Sequence, residues 1–182
     1  DYLRNTYDIP FVAIEPAIKP AALSTKTKAV GILATRGTLN SALFTKTSEL
    51  YARDIELIEV IGKGLVPEIE AGRHLGEEVK RLLQIYLEPM LRKNIDYLVL
   101  GCSHYPYLLP VLKSLLPESV TIIDSGRAVA KQTETLLIQH QLLNQSNSKP
   151  VPEFYTNAQN LQPLISLTMA KENNFKVQYL DF

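Results

Sequence analysis

A thiol, a hydroxyl and an imidazole stand side by side at Cys102, Ser103 and His104, directly behind the apolar run Tyr97–Leu100 and Gly101. A loop that leaves a buried strand through glycine lets the backbone approach a ligand closely. Pro106 suits the first turn of a following helix, whose free N–H groups then point back at the loop. A helix N-terminus and a protonated imidazole both depress a thiol's pKa, so Cys102 is expected to be a reactive thiolate fit for moving protons. The bland alternative stays open: a lone cysteine also packs as a small buried hydrophobe, and His104 as a structural histidine.

Other polar loops follow apolar runs. Thr35, Thr38 and Ser41 offer hydroxyls at a helix start, where backbone N–H groups could hold a carboxylate. Capping by Thr38 explains part of that pattern without a ligand. Asp124 or Ser125 as an N-cap, with Gly126 in the turn, accounts for the stretch Asp124–Gly126. In Lys63–Gly72, Glu68 is expected to be solvated and Glu70 lies near a helix end; His74 and His140 are expected at the surface. One cysteine and three histidines, scattered, make no metal-ligand spacing. There is no Walker A loop and no dinucleotide fingerprint, so neither a metal nor a cofactor is expected.

The elements that must position these residues alternate. Short apolar runs at Phe11–Ile14, Ala29–Ala34, Ile55–Val60, Tyr97–Leu100, Val120–Ile123, Glu153–Thr156 and Val177–Leu180 predict strands. Helical patterns fall between them, at Pro16–Leu23, Thr38–Tyr51, Val66–Ala71, Leu75–Arg92, Tyr107–Leu115, Arg127–Leu143 and Ala158–Ala170. That order predicts βαβ units, hence an α/β fold with a mostly parallel sheet whose ligands gather at the carboxyl ends of strands. In Leu75–Arg92 the residues Val79, Leu82, Leu83, Tyr86 and Leu87 mark one buried face. The polar stretch Asn144–Pro150 predicts an exposed loop.

Composition narrows the function classes. Among 182 residues, 19 basic side chains balance 19 acidic ones, which leaves no broad basic field for nucleic acid. Apolar runs are short and broken by charges, so no membrane span is expected, nor is a signal peptide visible. A single cysteine fits a reducing, cytoplasmic compartment. The chain opens Asp-Tyr-Leu-Arg without Met, and is expected to begin partway through a helix.

Taken in order, these loops resemble the glutamate racemases of the aspartate/glutamate racemase superfamily. Leu98–Pro106 looks like the family's second cysteine motif, Gly-Cys-Thr-His followed by an aromatic residue and proline. Ile14-Glu15-Pro16, Leu33–Ser41, Val66–Gly72 and Ile123–Gly126 support it, and the likeness runs from Ile9 to Leu137 and loosely beyond. Ser103 stands for the usual Thr and Tyr105 for the commoner Phe. Ile61-Gly62-Lys63-Gly64 stands where many relatives carry Cys-Pro, with no role assigned.

The resemblance implies two α/β lobes with parallel sheets and a site between them. One lobe, 16–124, would be complete; 1–15 and 125–182 would belong to the other, which is expected to lack its opening segment and the first catalytic cysteine. Strands Glu153–Thr156 and Val177–Leu180 are then expected to lack their normal partners. By the same resemblance, catalysis would interconvert L- and D-glutamate without a cofactor, using Cys102 as one of two proton-transfer thiols. His104 would tune that thiol and Glu70 would sit behind the ring and orient it. Ser103, His104, Thr35 and Thr38 would hold the substrate. Glutamate is the expected small-molecule partner and a homodimer is an open assembly; D-glutamate would feed peptidoglycan synthesis. The chain alone is expected to be inactive. Two other readings stay open: another superfamily enzyme working through Cys102, such as an aspartate racemase, or a non-catalytic α/β remnant.

Overall fold

Ala29–Ala34 is apolar at every position, and such a strand is stable only when both faces are covered. In the computed structural model, which describes residues 2–146, 148, 151–162, 165 and 175–181, it is strand β1 and buried throughout. Strands β2 (Glu56–Ile61) and β3 (Tyr97–Gly101) flank it, and β4 (Thr121–Ile123) lies beyond β3, all parallel in the order β2-β1-β3-β4.

Because strand side chains alternate, the sheet sends two sets of residues in opposite directions. Val30, Ile32 and Val99 pack against Ile18 and Ala21 of α2 (Ile18–Ser24) and Phe44 of α4 (Ala42–Tyr51). Leu33, Leu98 and Leu100 pack against Leu65 and Ile69 of α5 (Leu65–Glu70), α6 (Glu77–Arg92) and Leu112 of α7 (Leu109–Leu115). On α6 the buried stripe is Val79, Leu83, Leu87 and Met90, with Leu82 and Tyr86 half-buried at its margin. Helices on both faces of a parallel sheet are the doubly wound α/β arrangement the alternation predicts. The remaining elements are α1 (Tyr2–Thr6), α3 (Arg36–Leu39), α8 (Gly126–Gln139), β5 (Glu153–Thr156) and β6 (Lys176–Tyr179). Among the described residues, no helix is long and apolar enough to cross a membrane.

Several sequence expectations need correction. Phe11–Ile14 is not a strand: among the described residues no neighbour offers it a ladder, and Ile14 stays exposed. The helix expected at Thr38–Tyr51 is broken into α3 and α4, because Thr35 and Ser41 each cap a new start, accepting from the N–H groups of Thr38 and Phe44. Thr38 is therefore not the cap. The helix expected from Tyr107 is preceded by a 3-10 turn, Tyr105–Leu108. β5 and β6 pair with each other in parallel as a two-stranded sheet, from Glu153↔Lys176 to Thr156↔Tyr179, and among the described residues no further strand joins them. An ion pair between Lys176 and Glu153, 2.9 Å, reinforces that register. The helix expected at Ala158–Ala170 lies largely outside the described residues.

The amino end of the central pair is pinned by Asp96, just before β3. Its carboxylate accepts from the hydroxyls of Thr25 (2.6 Å) and Thr27 (3.1 Å) and from the N–H groups of Lys26 (2.7 Å) and Thr27 (3.3 Å), all in the turn that feeds β1. Burial pushes this carboxyl upward, but the donors outweigh it and its pKa lies below the usual aspartate value. A depressed carboxyl stabilises the fold above its unfolded pKa, and that contribution is lost as pH falls through the folded value. Asp96→Ala is expected to cost about 2–3 kcal/mol in urea denaturation at neutral pH, the range for hydrogen bonds to a charged group. The gap to the unaltered chain should narrow as the medium is acidified below the usual aspartate range. A gap that stays constant with pH would refute the role of the charge.

Candidate active site

β1 and β3 are adjacent and parallel, and their last residues, Ala34 and Gly101, are partners in register. The residues that follow, Thr35 and Cys102, therefore leave the sheet side by side. The strands come together closely here. A Cβ on Gly101 would lie 2.7 Å from the Cβ of Ala34 and 3.4 Å from the Thr38 methyl, so no side chain fits. A cleft of about 570 Å³ opens above this point. One loop contributes Thr35, Gly37, Thr38 and Ser41 to its lining, and the other contributes Gly101, Cys102, Ser103 and Pro106. Ile14–Pro16 and Asp124–Gly126 complete the wall.

Behind Cys102 the structure lines up the acid/base candidates. The thiol Sγ lies 3.9 Å from Nδ1 of His104, and Nε2 of His104 lies 3.2 Å from Oε1 of Glu70 at the end of α5. The Glu70 side chain is 61% exposed, so this ion pair adds little stability and serves to orient the ring. Neither His104 nor Glu70 lines the cleft; Cys102 does.

Cys102 is half-buried, and burial pushes its pKa up. The backbone N–H groups of His104 and Tyr105 pull it down, the Glu70 carboxylate adds to the rise, and the net position lies above the ordinary thiol value. This corrects the expectation of a depressed thiolate. The loop runs into one short 3-10 turn, not the long helix whose dipole would offset the loss of water. Cys102 thus rests as a neutral thiol.

The hydroxyls on the opposite loop are partly engaged. Oγ1 of Thr35 and Oγ1 of Thr38 are 3.0 Å apart, and Ser41 donates to the carbonyl of Thr38 at 2.7 Å. Ser103 is exposed at the cleft. Ser125 occupies the N-cap position of α8, but its hydroxyl donates to the carbonyl of Glu15, while Asp124 accepts from the N–H of Gly126 at 2.7 Å. Glu68 is not simply solvated: Arg73 clamps it through two hydrogen bonds of 2.8 and 2.7 Å. His74 is half-buried, edge-on to Tyr107 with ring centroids 6.2 Å apart, whereas His140 is exposed as expected. Among the described residues no group of three or more His, Cys, Asp or Glu side chains could hold a metal ion.

Sequence reasoning assigns no site role to Glu15, Pro16 or the Asp124–Gly126 stretch, all of which line the cleft. The signal that marks them is their position just after strands or at a proline-marked crossing. Residues 1–133 match the family model described as Asp/Glu/Hydantoin racemase. A glutamate racemase of Ectopseudomonas mendocina is 49% identical over 142 residues, 78% of this chain and 54% of that one. One from Pseudomonas aeruginosa is 43% identical over 157 residues, 86% of this chain and 59% of the relative. The chain thus spans about half the length of the curated relatives it matches. Escherichia coli glutamate racemase, solved with L-glutamate and the activator UDP-MurNAc-Ala, superposes with a TM-score of 0.80 at 32% identity, over 98% of this chain and 67% of that one. A glutamate racemase isoform of Bacillus anthracis superposes with a TM-score of 0.77 at 26% identity, over 100% of this chain and 68% of the other. With the parallel α/β sheet, the ordered loops and the matched residues in agreement, the chain belongs to the Asp/Glu/Hydantoin racemase family.

Proposed function

We propose that the whole protein interconverts L- and D-glutamate without a cofactor, and that Cys102 moves the proton on one face of Cα. The observation that carries this reading is the placement of a half-buried thiol on the cleft wall, with hydroxyls across from it and an imidazole–carboxylate pair behind it. The relatives named glutamate racemase, and the Escherichia coli enzyme solved with L-glutamate, point to the substrate. In this reading residues 16–124 form one lobe, 1–15 and 125–182 belong to the other, and the cleft lies where they meet.

Inversion requires a base on one face of Cα and an acid on the other. As a thiol, Cys102 gives its proton to the planar carbanion and becomes a thiolate. In the reverse direction the thiolate takes the Cα proton, and the electron pair spreads into the substrate's carboxylate. The resting thiol is therefore the donor form. A bound ammonium group near the sulfur favours the thiolate by Coulomb attraction once substrate arrives. His104, through Nδ1, is placed to exchange the thiol's proton, and Glu70 orients it. Thr35, Thr38 and Ser103 hold the substrate's carboxylates or amine with backbone N–H groups. The 182 residues contain one cysteine, so a second thiol on the opposite face does not come from them. The product suits peptidoglycan synthesis in the cytoplasm.

Circular dichroism of L-glutamate incubated with the whole protein and EDTA should decay to the racemic value without pyridoxal phosphate. Cys102→Ala should lower kcat by about 100- to 10,000-fold, the range for a positioned proton-transfer group. Retained activity in that variant, or activity only after pyridoxal phosphate is added, would overturn the assignment. A second expectation concerns the thiol itself. Because its pKa is raised, iodoacetamide labelling of Cys102 in the folded chain should keep accelerating above the ordinary thiol range, near pH 8.5. Labelling that saturates at neutral pH would show a depressed thiolate instead. Thirdly, the 182-residue chain on its own should not invert glutamate, since one thiol serves one face. The circular dichroism of L-glutamate incubated with this chain should stay constant, and decay at the whole protein's rate would show that the chain carries both groups.

A further inference from the structure

The contacts of the His104 ring, 3.9 Å to the Cys102 sulfur and 3.2 Å to an exposed Glu70, are weak, so something firmer must hold the turn. Tyr105, the next residue, is fully buried and donates its hydroxyl to the carbonyl of buried Gly62 at 3.2 Å. Its own N–H closes the turn on the carbonyl of Cys102 at 3.1 Å. Gly62 in turn gives its N–H to the carbonyl of Ala34 at the end of β1, 2.9 Å. A short stretch further on, α5 starts, and its last residue, Glu70, meets His104. The neighbouring carbonyl of Lys63 accepts from Tyr86 at 2.6 Å, so the loop is held at consecutive residues.

Resting on the racemase reading of the cleft, we infer that Tyr105 is a positioning residue. Its hydroxyl, seated on Gly62, fixes the Cys102–His104 turn against the segment that delivers Glu70. The two residues are matched. A Cβ on Gly62 would stand 2.3 Å from the Tyr105 hydroxyl oxygen, 2.9 Å from its Cζ and 2.8 Å from Cδ1 of Leu65, so the phenol fits only because residue 62 has no side chain. Conversely, a phenylalanine at 105 would keep the buried ring but leave the Gly62 carbonyl only the N–H of Leu65, at 3.3 Å, and so release the tie between the two loops. The Tyr105 hydroxyl and any side chain at residue 62 would thus compete for one space. This contact spans 43 positions of sequence and ties the loops after β1, β2 and β3 together.

The test uses the 182-residue chain and three variants: Gly62→Ala, Tyr105→Phe, and the two combined. Cys102 is the only thiol, so its iodoacetamide labelling rate against pH reports the turn directly, and thermal melts report folding. Gly62→Ala should push Tyr105 and the turn outward, relieve the burial of Cys102 and speed its labelling at neutral pH about tenfold, a coupling typical of residues in contact. Tyr105→Phe alone should speed it less. In the double variant the 2.3 Å clash with the hydroxyl is gone while the ring carbon at 2.9 Å and Cδ1 of Leu65 at 2.8 Å still crowd the methyl, so the pH profile should move back toward that of the starting chain without reaching it. A labelling profile unmoved by Gly62→Ala, or effects of the two changes that simply add, would overturn the inference. If Gly62→Ala does not fold, Tyr105→Phe decides: faster labelling in a chain that still melts cooperatively supports the positioning role, and an unmoved profile refutes it. In the whole protein the same series should lower kcat more than it raises KM. An inactive whole protein with a responsive thiol would sink the racemase reading alone, and an active one with an indifferent thiol would sink the positioning role alone.

Discussion

The approach of β1 to β3 at Ala34 and Gly101 is the constraint on which the cleft depends. Parallel strands in register end at the same level, so the loops that follow them emerge as neighbours. With a Cβ–Cβ distance of 2.7 Å for any residue larger than glycine, the pair could close only by shifting β3, and Cys102 would shift with it. At the far end of the same strands Asp96 ties the entry of β1 to that of β3. The pair is thus fixed at its entry by a charged hydrogen-bond cluster and at its exit by a packing limit. Between them every residue of β1 is buried, which leaves the strands no freedom to slide.

Burial does two things to the thiol at once. It fixes the rotamer and excludes water, and it also raises the energy of the thiolate. For the proposed reaction, which would run in both directions, a sulfur held permanently as thiolate would be a poor proton donor. A thiol that loses its proton only when a cation or imidazole is at hand serves both roles. The backbone N–H groups of His104 and Tyr105 beside Cys102 limit the rise. His104 is out of the cleft lining but within reach of the sulfur, which suits a residue that acts through the thiol.

How much of the molecule is legible in its sequence depends on how local each cause is. Strands buried on both faces must be apolar, so β1 and β3 stand out, and a helix packed on one side must repeat its apolar residues, so α6 does too. The His104–Glu70 contact joins residues that no spacing rule connects; it is reachable only through the family resemblance. The thiol's direction of shift escapes a local view, which sees the following turn but not the burial. Phe11–Ile14 has the composition of a strand and lacks a ladder among the described residues, since pairing is a property of the neighbour and not of the segment. Tyr105 and Gly62 look unrelated in the sequence until the space they share is visible.

The walls of the cleft differ in how firmly they are held. The loops after β1 and β3 grow from the densest part of the core, where Leu33, Leu98, Leu100 and Tyr105 are nearly or wholly inaccessible. The other wall, Ile14–Pro16 and Asp124–Gly126, is joined by the hydroxyl of Ser125 on the carbonyl of Glu15, residues 110 apart in sequence. Ser125 gives up side-chain capping of α8 to make that bond, and α8 buries none of its residues among those described. Without a cofactor to delocalise charge, the reaction as proposed relies on the sulfur being held at reacting distance from Cα, where small displacements are costly. The firmly packed wall therefore carries the thiol, which is where the proposed reaction needs it.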